Sequence, residues 1–200
     1  MLPSSKATTT TKKIMEDVII AAVEAGGTSF VVAVAKVAAA EEGKSNAPPI
    51  ILAQLEVDSS HDRPMETLEA CAAFLKRRQP DGGYHALGLA SFGPVGLNPS
   101  NQDSYGRIGS TSPKASWRNV DLLTPLVTAC QGSLRSLAVK IETDVNAPAM
   151  AEYRQVQDQL SSLAYVTVGT GKCWNWAFPR TLQTSLSDRL LCVLISYQQG

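Results

Sequence analysis

Apolar residues in this chain fall into short runs separated by glycine-bearing or small polar turns, and the period changes from run to run. Val18–Ala25 (VIIAAVEA) is continuously apolar, as expected of a strand buried on both faces. Gly26-Gly27 supplies a tight turn in which a positive φ costs little. Ser29–Val37 (SFVVAVAKV) continues as a second strand, so the two form a hairpin. Residues 38–49 are rich in Ala, Glu, Gly, Asn and Pro and read as a solvent loop, and Ile50–Val57 (IILAQLEV) is a third strand of the same meander. Over Arg63–Gln79 the period becomes helical, with Met65, Leu68, Ala72 and Leu75 on one face. Lys76-Arg77-Arg78 closes that helix where its dipole favours cations. After a Pro80–Gly83 turn, Tyr84–Phe92 (YHALGLASF) is a strand ending in Gly93-Pro94-Val95-Gly96. Asn98–Trp117 is a long Gly/Ser/Pro/Asn loop of a length that usually signals function or disorder. Asn119–Cys130 then reads as a helix, Leu137–Ile141 as a strand, Ala147–Gln157 as a helix and Ser162–Val168 as a strand ending in Gly169-Thr170-Gly171.

This order, a three-stranded meander feeding alternating helices and strands, predicts an α/β lobe of ribonuclease H-like type with a mixed sheet. A doubly wound dinucleotide-binding sheet would place a helix directly after the first strand. Strand-like sequence follows Gly26-Gly27-Thr28 instead.

Composition bounds the function classes. Two hundred residues suffice for one substantial domain or two small ones. With 44% hydrophobic and 18% charged residues and a formal net charge of zero, the chain fits an ordinary globular protein without a nucleic-acid footprint. Cys71, Cys130, Cys173 and Cys192 are scattered, with no C-x-x-C pair, and read as reduced core thiols of a cytosolic protein. Met1–Asp17 lacks the apolar stretch of a secretory signal and reads as a disordered tail, and no run reaches the length of a membrane helix. His85 alternates with apolar neighbours as a satisfied strand histidine, and His61 sits in a polar loop.

The candidate chemistry gathers at strand ends. Leu137–Tyr153 (LAVKIETDVNAPAMAEY) sets Asp144 at the end of a strand and Asn146 at a helix start. A carboxylate there can take a proton from an alcohol. Asp144 and Asn146 can equally cap the helix, because both side chains accept hydrogen bonds from its first free N–H groups. Glu24–Thr28, Gly93–Gly96 and Val168–Gly171 share one design: a strand ends in a turn that brings backbone N–H groups to the sheet edge. Glycine lets such a turn approach a phosphate closely.

Taken together and in order, VEAGGTSF, LASFGPV, GSTSPKASWRNVDL, ETDVNAPAMAEY and AYVTVGTG resemble the fructokinases of the ROK sugar-kinase family over Ile19–Gly171. Residues Thr111–Trp117 resemble the TPKAGW-like segment of the fructokinase branch. The resemblance implies the actin-like ATPase fold and ATP-dependent phosphorylation of fructose to fructose 6-phosphate, with Mg2+ required. It makes Asp144 the general base. Gly26, Gly27 and Thr28 become the first phosphate loop, and Gly169, Thr170 and Gly171 the second. Gly93, Pro94 and Asn146 would border the sugar, with Lys114 and Trp117 on the substrate-side loop. Glucose or mannose kinases of the same fold are the nearest rivals, and a homodimer is among the expected partners.

The sequence departs from the family in three places. Ser29 stands where the first loop usually continues with lysine. Residues 172–200 (KCWNWAFPRTLQTSLSDRLLCVLISYQQG) resemble nothing in the family, and the His/Cys cluster of its structural zinc site does not follow Gly171. The tail is therefore expected to be a non-family, disordered segment of a truncated gene model or altered transcript. Without a second lobe to close over the sugar, catalysis would be weak. A sugar-binding regulator is the competing class, but residues 1–17 are too short and polar for the family's helix-turn-helix. A product with no activity of its own is the other.

Overall fold

In a computed structural model, the structure describes residues 18–37, 49–60, 62–132, 136–156, 159, 162–168 and 172–177. The expected tail over 1–17, His61 and the Gly169-Thr170-Gly171 turn lie outside them, as do residues 178–200.

Five strands form a mixed sheet in the order β3-β2-β1-β4-β5. The first two, β1 (Val18–Ala25) and β2 (Ser29–Val37), are the expected antiparallel hairpin, and β3 (Ile50–Asp58) pairs antiparallel with β2 at the sheet edge. The other two, β4 (Ala86–Ser91) and β5 (Ala138–Thr143), run parallel to β1. Between Val34 and Ala35 the β2–β3 register slips, Val34 facing Ala53 and Ala35 facing Ile51. The extra residue, Leu52, reverses which face the rest of β3 presents. Ala53, Leu55 and Val57 accordingly pack with one core, Ile51 with the other.

The two faces are filled differently. On one, α1 (Pro64–Arg77) and α2 (Leu123–Cys130) cover Val23, Phe30, Val32, Leu87 and Leu89, residues large enough to need deep burial. On the other, α3 (Asn146–Val156) meets Ala22, Ala33, Ala35, Ala86 and Ala90, whose methyl groups let the helix approach closely. A second, two-stranded antiparallel sheet, β6 (Leu163–Val168) with β7 (Lys172–Ala177), packs against α3. The first six residues of the expected non-family tail are thus a strand. No helix of the described residues is long and apolar enough to cross a membrane.

Three local expectations change. The α2 helix starts at Leu123 rather than near Asn119, because the Asp121 carboxylate accepts the N–H groups of Leu123 and Thr124 (both 3.0 Å) and fixes the first turn there. Asn119, four residues earlier, takes a left-handed φ of 61°. Neither Gly26 nor Gly27 adopts the positive φ expected of the hairpin turn. Gly26 is required for space, since a Cβ there would sit 2.7 Å from the Ser29 carbonyl oxygen. His85 is satisfied as expected, its Nδ1 accepting the Ile19 N–H at 3.1 Å.

Cys71 of α1 and Cys130 of α2 are buried free thiols, and burial pushes both up to about 12. The thiolate is the reactive form, so both are inert in the folded chain. Peptide mapping after alkylation at pH 8 should find Cys71 and Cys130 unmodified in native protein and fully modified in denaturant. Modification of either in the native state would contradict this packing.

Candidate functional site

Ala25, Ser91 and Thr143, the last residues of β1, β4 and β5, stand opposite one another across the sheet. The next residue of each neighbour is pinned back, with Phe92 N–H donating to the Ala25 carbonyl and Asp144 N–H to the Ser91 carbonyl, both at 2.9 Å. Because β3 also ends on this edge, Asp58 facing Ser29, four segments converge there: Gly26–Thr28, Ser59, Phe92–Pro94 and Asp144–Asn146.

The Asp144 carboxyl is half-buried. Desolvation raises its pKa, opposed by hydrogen bonds from its own N–H and that of Val145. The capping alternative resolves mostly onto a neighbour: Thr143 Oγ1 accepts the Asn146 N–H (3.0 Å), the first residue of α3, while Asn146 Nδ2 donates to Glu142 Oε2 (3.1 Å). Asp144 therefore stays at the strand end in a partly dry environment, held by two backbone N–H groups, where a carboxylate can accept a proton. Tyr165 of β6 is brought into the same field. Burial holds its phenol above the usual range, reinforced by the charges of Glu24, Glu152 and Asp144.

The β1–β2 turn is held from behind. Gly26 N–H donates to the Ser29 carbonyl (2.9 Å), and the buried Ser59 donates twice, from Oγ to the Gly26 carbonyl (3.2 Å) and from N–H to the Thr28 carbonyl (2.9 Å). Lys114 Nζ donates to the carbonyls of Gly27 and Ser59, each at 2.7 Å. Its ammonium lies 5.2 Å from the ring centres of both Phe92 and Trp117, a cation–π arrangement. Desolvation lowers the Lys114 pKa, while Asp58 and Asp62 favour its charged form.

Lys114, expected with Trp117 on a substrate-side loop, reaches the β1–β2 turn, and Trp117 lies in the core. Trp117 is fully buried, 5.0 Å from Phe30 and edge-on to Phe92 at 5.6 Å. Its Nε1–H has no partner among the described residues. The loop around it is ordered by pairings of Val95 with Ile108, Gly96 with Tyr105 and Arg107 with Asp121. The Gly93–Pro94 peptide is cis; Gly109 N–H donates to the Pro94 carbonyl at 2.7 Å and Ser112 Oγ–H to the Gly93 carbonyl at 3.5 Å. Gly93, Pro94, Asn146 and Asp144 share one edge with Gly26–Thr28.

Two residues escaped the reading of the sequence. Ser59 follows a polar-edged strand with no motif around it, and Tyr165 looked like one more strand aromatic. The position of Ser59 just past a strand end was its single signal. Among the described residues, no group of three or more His, Cys, Asp or Glu side chains is gathered so as to hold a metal ion.

Since Trp117 supports the Lys114 loop from inside the core, Trp117→Ala should destabilise the chain by about 3–5 kcal/mol, the range for emptying a buried aromatic site. Trp117→Phe should cost less, because it keeps the ring packing and deletes an unpaired donor. Urea denaturation curves of both variants check this, and an unchanged midpoint for Trp117→Ala would contradict it.

Residues 20–174 match the ROK family model, three residues beyond the expected end of the lobe. Fructokinase from Lactococcus lactis subsp. cremoris is 36% identical over 108 residues, covering 54% of this chain and 33% of the relative. Fructokinase from Streptococcus mutans is 39% identical over 112 residues, again covering 54% and 33%. The chain therefore spans about a third of the length of these curated relatives. Among solved structures, the Lmo2764 protein of Listeria monocytogenes, provisionally assigned as an N-acetylmannosamine kinase, superposes with a TM-score of 0.53 at 23% identity, covering 79% of this chain and 46% of that one. A provisionally assigned sugar kinase from Cytophaga hutchinsonii gives 0.51 at 18%, covering 80% and 48%. Both share the ribonuclease H-like, actin-like ATPase fold seen here. With the match running over more than three-quarters of its length, the chain belongs to the ROK family.

Proposed function

We propose that this chain carries the base, the first phosphate turn and the sugar border of an ATP-dependent hexose kinase, with fructose as substrate and fructose 6-phosphate as product. One observation carries the reading: the Asp144 carboxylate and the Gly26–Thr28 turn emerge from in-register strands at one sheet edge. Identity to fructokinases supports fructose over glucose or mannose.

In this reading Asp144 accepts the proton of the sugar hydroxyl as that oxygen bonds to the terminal phosphorus of ATP and the bond to the ADP oxygen breaks. Phosphoryl transfer asks of a protein mainly positioning and charge stabilisation. The turn fits phosphate oxygens, because Gly27 and Thr28 are exposed and a Cβ on Gly27 would meet nothing within 4 Å. Mg2+ would enter with the nucleotide, held chiefly by phosphate oxygens and water, and would neutralise the charge that develops on them. Gly93, Pro94 and Asn146 would border the sugar. Gly169, Thr170 and Gly171 remain the second phosphate loop of this proposal.

A raised Asp144 pKa has two consequences. A base works only when deprotonated, so phosphorylation should rise with pH through a midpoint above the usual aspartate value and then level off. The folded chain also holds this proton more tightly than the unfolded chain does. Between the ordinary and the raised value, stability therefore falls as pH rises, and it stays lowered above the raised value. Asp144→Asn should reduce ATP-dependent fructose phosphorylation by about 10²- to 10⁴-fold, the usual worth of a general base, and flatten the stability slope in that window. A coupled assay with fructose, glucose and mannose, run beside denaturation at several pH values, measures both. A variant that retains the rate, or the acid limb, would sink the assignment of Asp144.

A further inference from the structure

Each trans peptide points its C=O and the following N–H in opposite directions. A residue that captures the carbonyls of a turn therefore decides where its N–H groups aim. In the β1–β2 turn all three carbonyls are captured. Gly26 O takes Ser59 Oγ–H, Gly27 O takes the Lys114 ammonium, and Thr28 O takes Ser59 N–H. Lys114 also binds the Ser59 carbonyl, so both captors form one unit on one side of the turn. The N–H groups of Gly27 and Thr28, which share peptide planes with the captured Gly26 and Gly27 carbonyls, must then point to the opposite side. Those two residues are exposed, and no acceptor among the described residues takes either N–H.

We propose that Lys114 and Ser59 are positioning residues that turn the Gly27 and Thr28 N–H groups outward as a ready pair of donors for a phosphate oxygen. The proposal rests on reading this turn as a phosphate site. It changes the role of Lys114: the residue that the substrate-side loop carries serves the nucleotide, and through it the sugar-side loop is tied to the phosphate turn. It also brings an ammonium to a turn whose neighbouring position is Ser29. A positively charged donor suits the task, because hydrogen bonds from charged groups are about twice as strong as neutral ones. Two of its three donors are used on carbonyls. The faces of Phe92 and Trp117 hold the charge in place.

The test combines calorimetric titration of ATP and of fructose with carbon-13 NMR of the turn carbonyls, on the full chain and on Lys114→Met, Lys114→Arg and Ser59→Ala. Lys114→Met should weaken ATP binding by about tenfold and leave fructose binding within about twofold, the scale expected for one lost charged hydrogen bond. Its Gly27 carbonyl resonance should move. Lys114→Arg, which keeps charge and donors, should restore both toward wild type. Ser59→Ala should move the Gly26 carbonyl resonance and weaken ATP by a smaller factor, which keeps the proposal testable if Lys114→Met fails to fold. An unmoved Gly27 resonance in Lys114→Met overturns the clamp. Loss of fructose binding with ATP binding intact overturns it in favour of a sugar contact. If wild type binds no ATP while the carbonyl resonances shift as expected, the phosphate reading fails and the clamp stands.

Discussion

Register is the constraint from which the rest of this molecule follows. With Ala25, Ser91 and Thr143 level across three parallel strands, whatever sequence comes next on each strand is delivered to the same edge. The hydrogen bonds from Phe92 to Ala25 and from Asp144 to Ser91 extend the ladder one residue past the strands. The turn, the Gly93–Pro94 corner and the carboxylate are thus positioned by backbone pairing before any side chain contributes. Slipping β5 by one residue would reverse its faces and turn Asp144 to the other side of the sheet. The core on both sides of the sheet is what forbids that slip.

A second layer of order is long-range in sequence and short in space. Lys114 reaches Gly27, 87 residues away, and Ser59, 55 away. These contacts lock a solvent-facing turn to a loop that its own backbone pairings already order. Trp117 anchors the arrangement from beneath, so the site is built on the larger of the two cores, the one under α1 and α2.

Strands β1 to β6 and the helix α1 were legible because their signal is local: VIIAAVEA and SFVVAVAKV are apolar enough to demand burial whatever surrounds them, whereas β7 fell in a segment read as a disordered tail. The meander followed by βαβ units announced a mixed sheet of ribonuclease H-like type, and the Asp144 junction announced its strand-to-helix turn. Other features depended on partners that no local window contains. The start of α2 at Leu123, four residues inside a pattern that looked helical from Asn119, was set by the Asp121 carboxylate. The glycines of the β1–β2 turn suggested left-handed backbone, whereas Gly26 answers to the nearness of the Ser29 carbonyl. Trp117 stood in a polar loop, and its burial depends on Phe30 and Phe92, far away in the sequence. Ser59 has no motif at all. Its importance comes from where β3 happens to stop.

The alanine-lined face of the sheet has a consequence for how this site can change. Across β2, β1 and β4, Ala33, Ala22 and Gly88 stand side by side, and Ala147 of α3 joins the Ala22 and Ala33 layer one residue after Asn146. The helix that begins two residues past Asp144 is therefore set at a height fixed by methyl groups. Swapping one of these alanines for valine would act as a shim, lifting α3 and retuning the distance between the carboxylate and the turn from the rear. Variation in reactivity across such a scaffold can thus be written in residues that never meet a ligand.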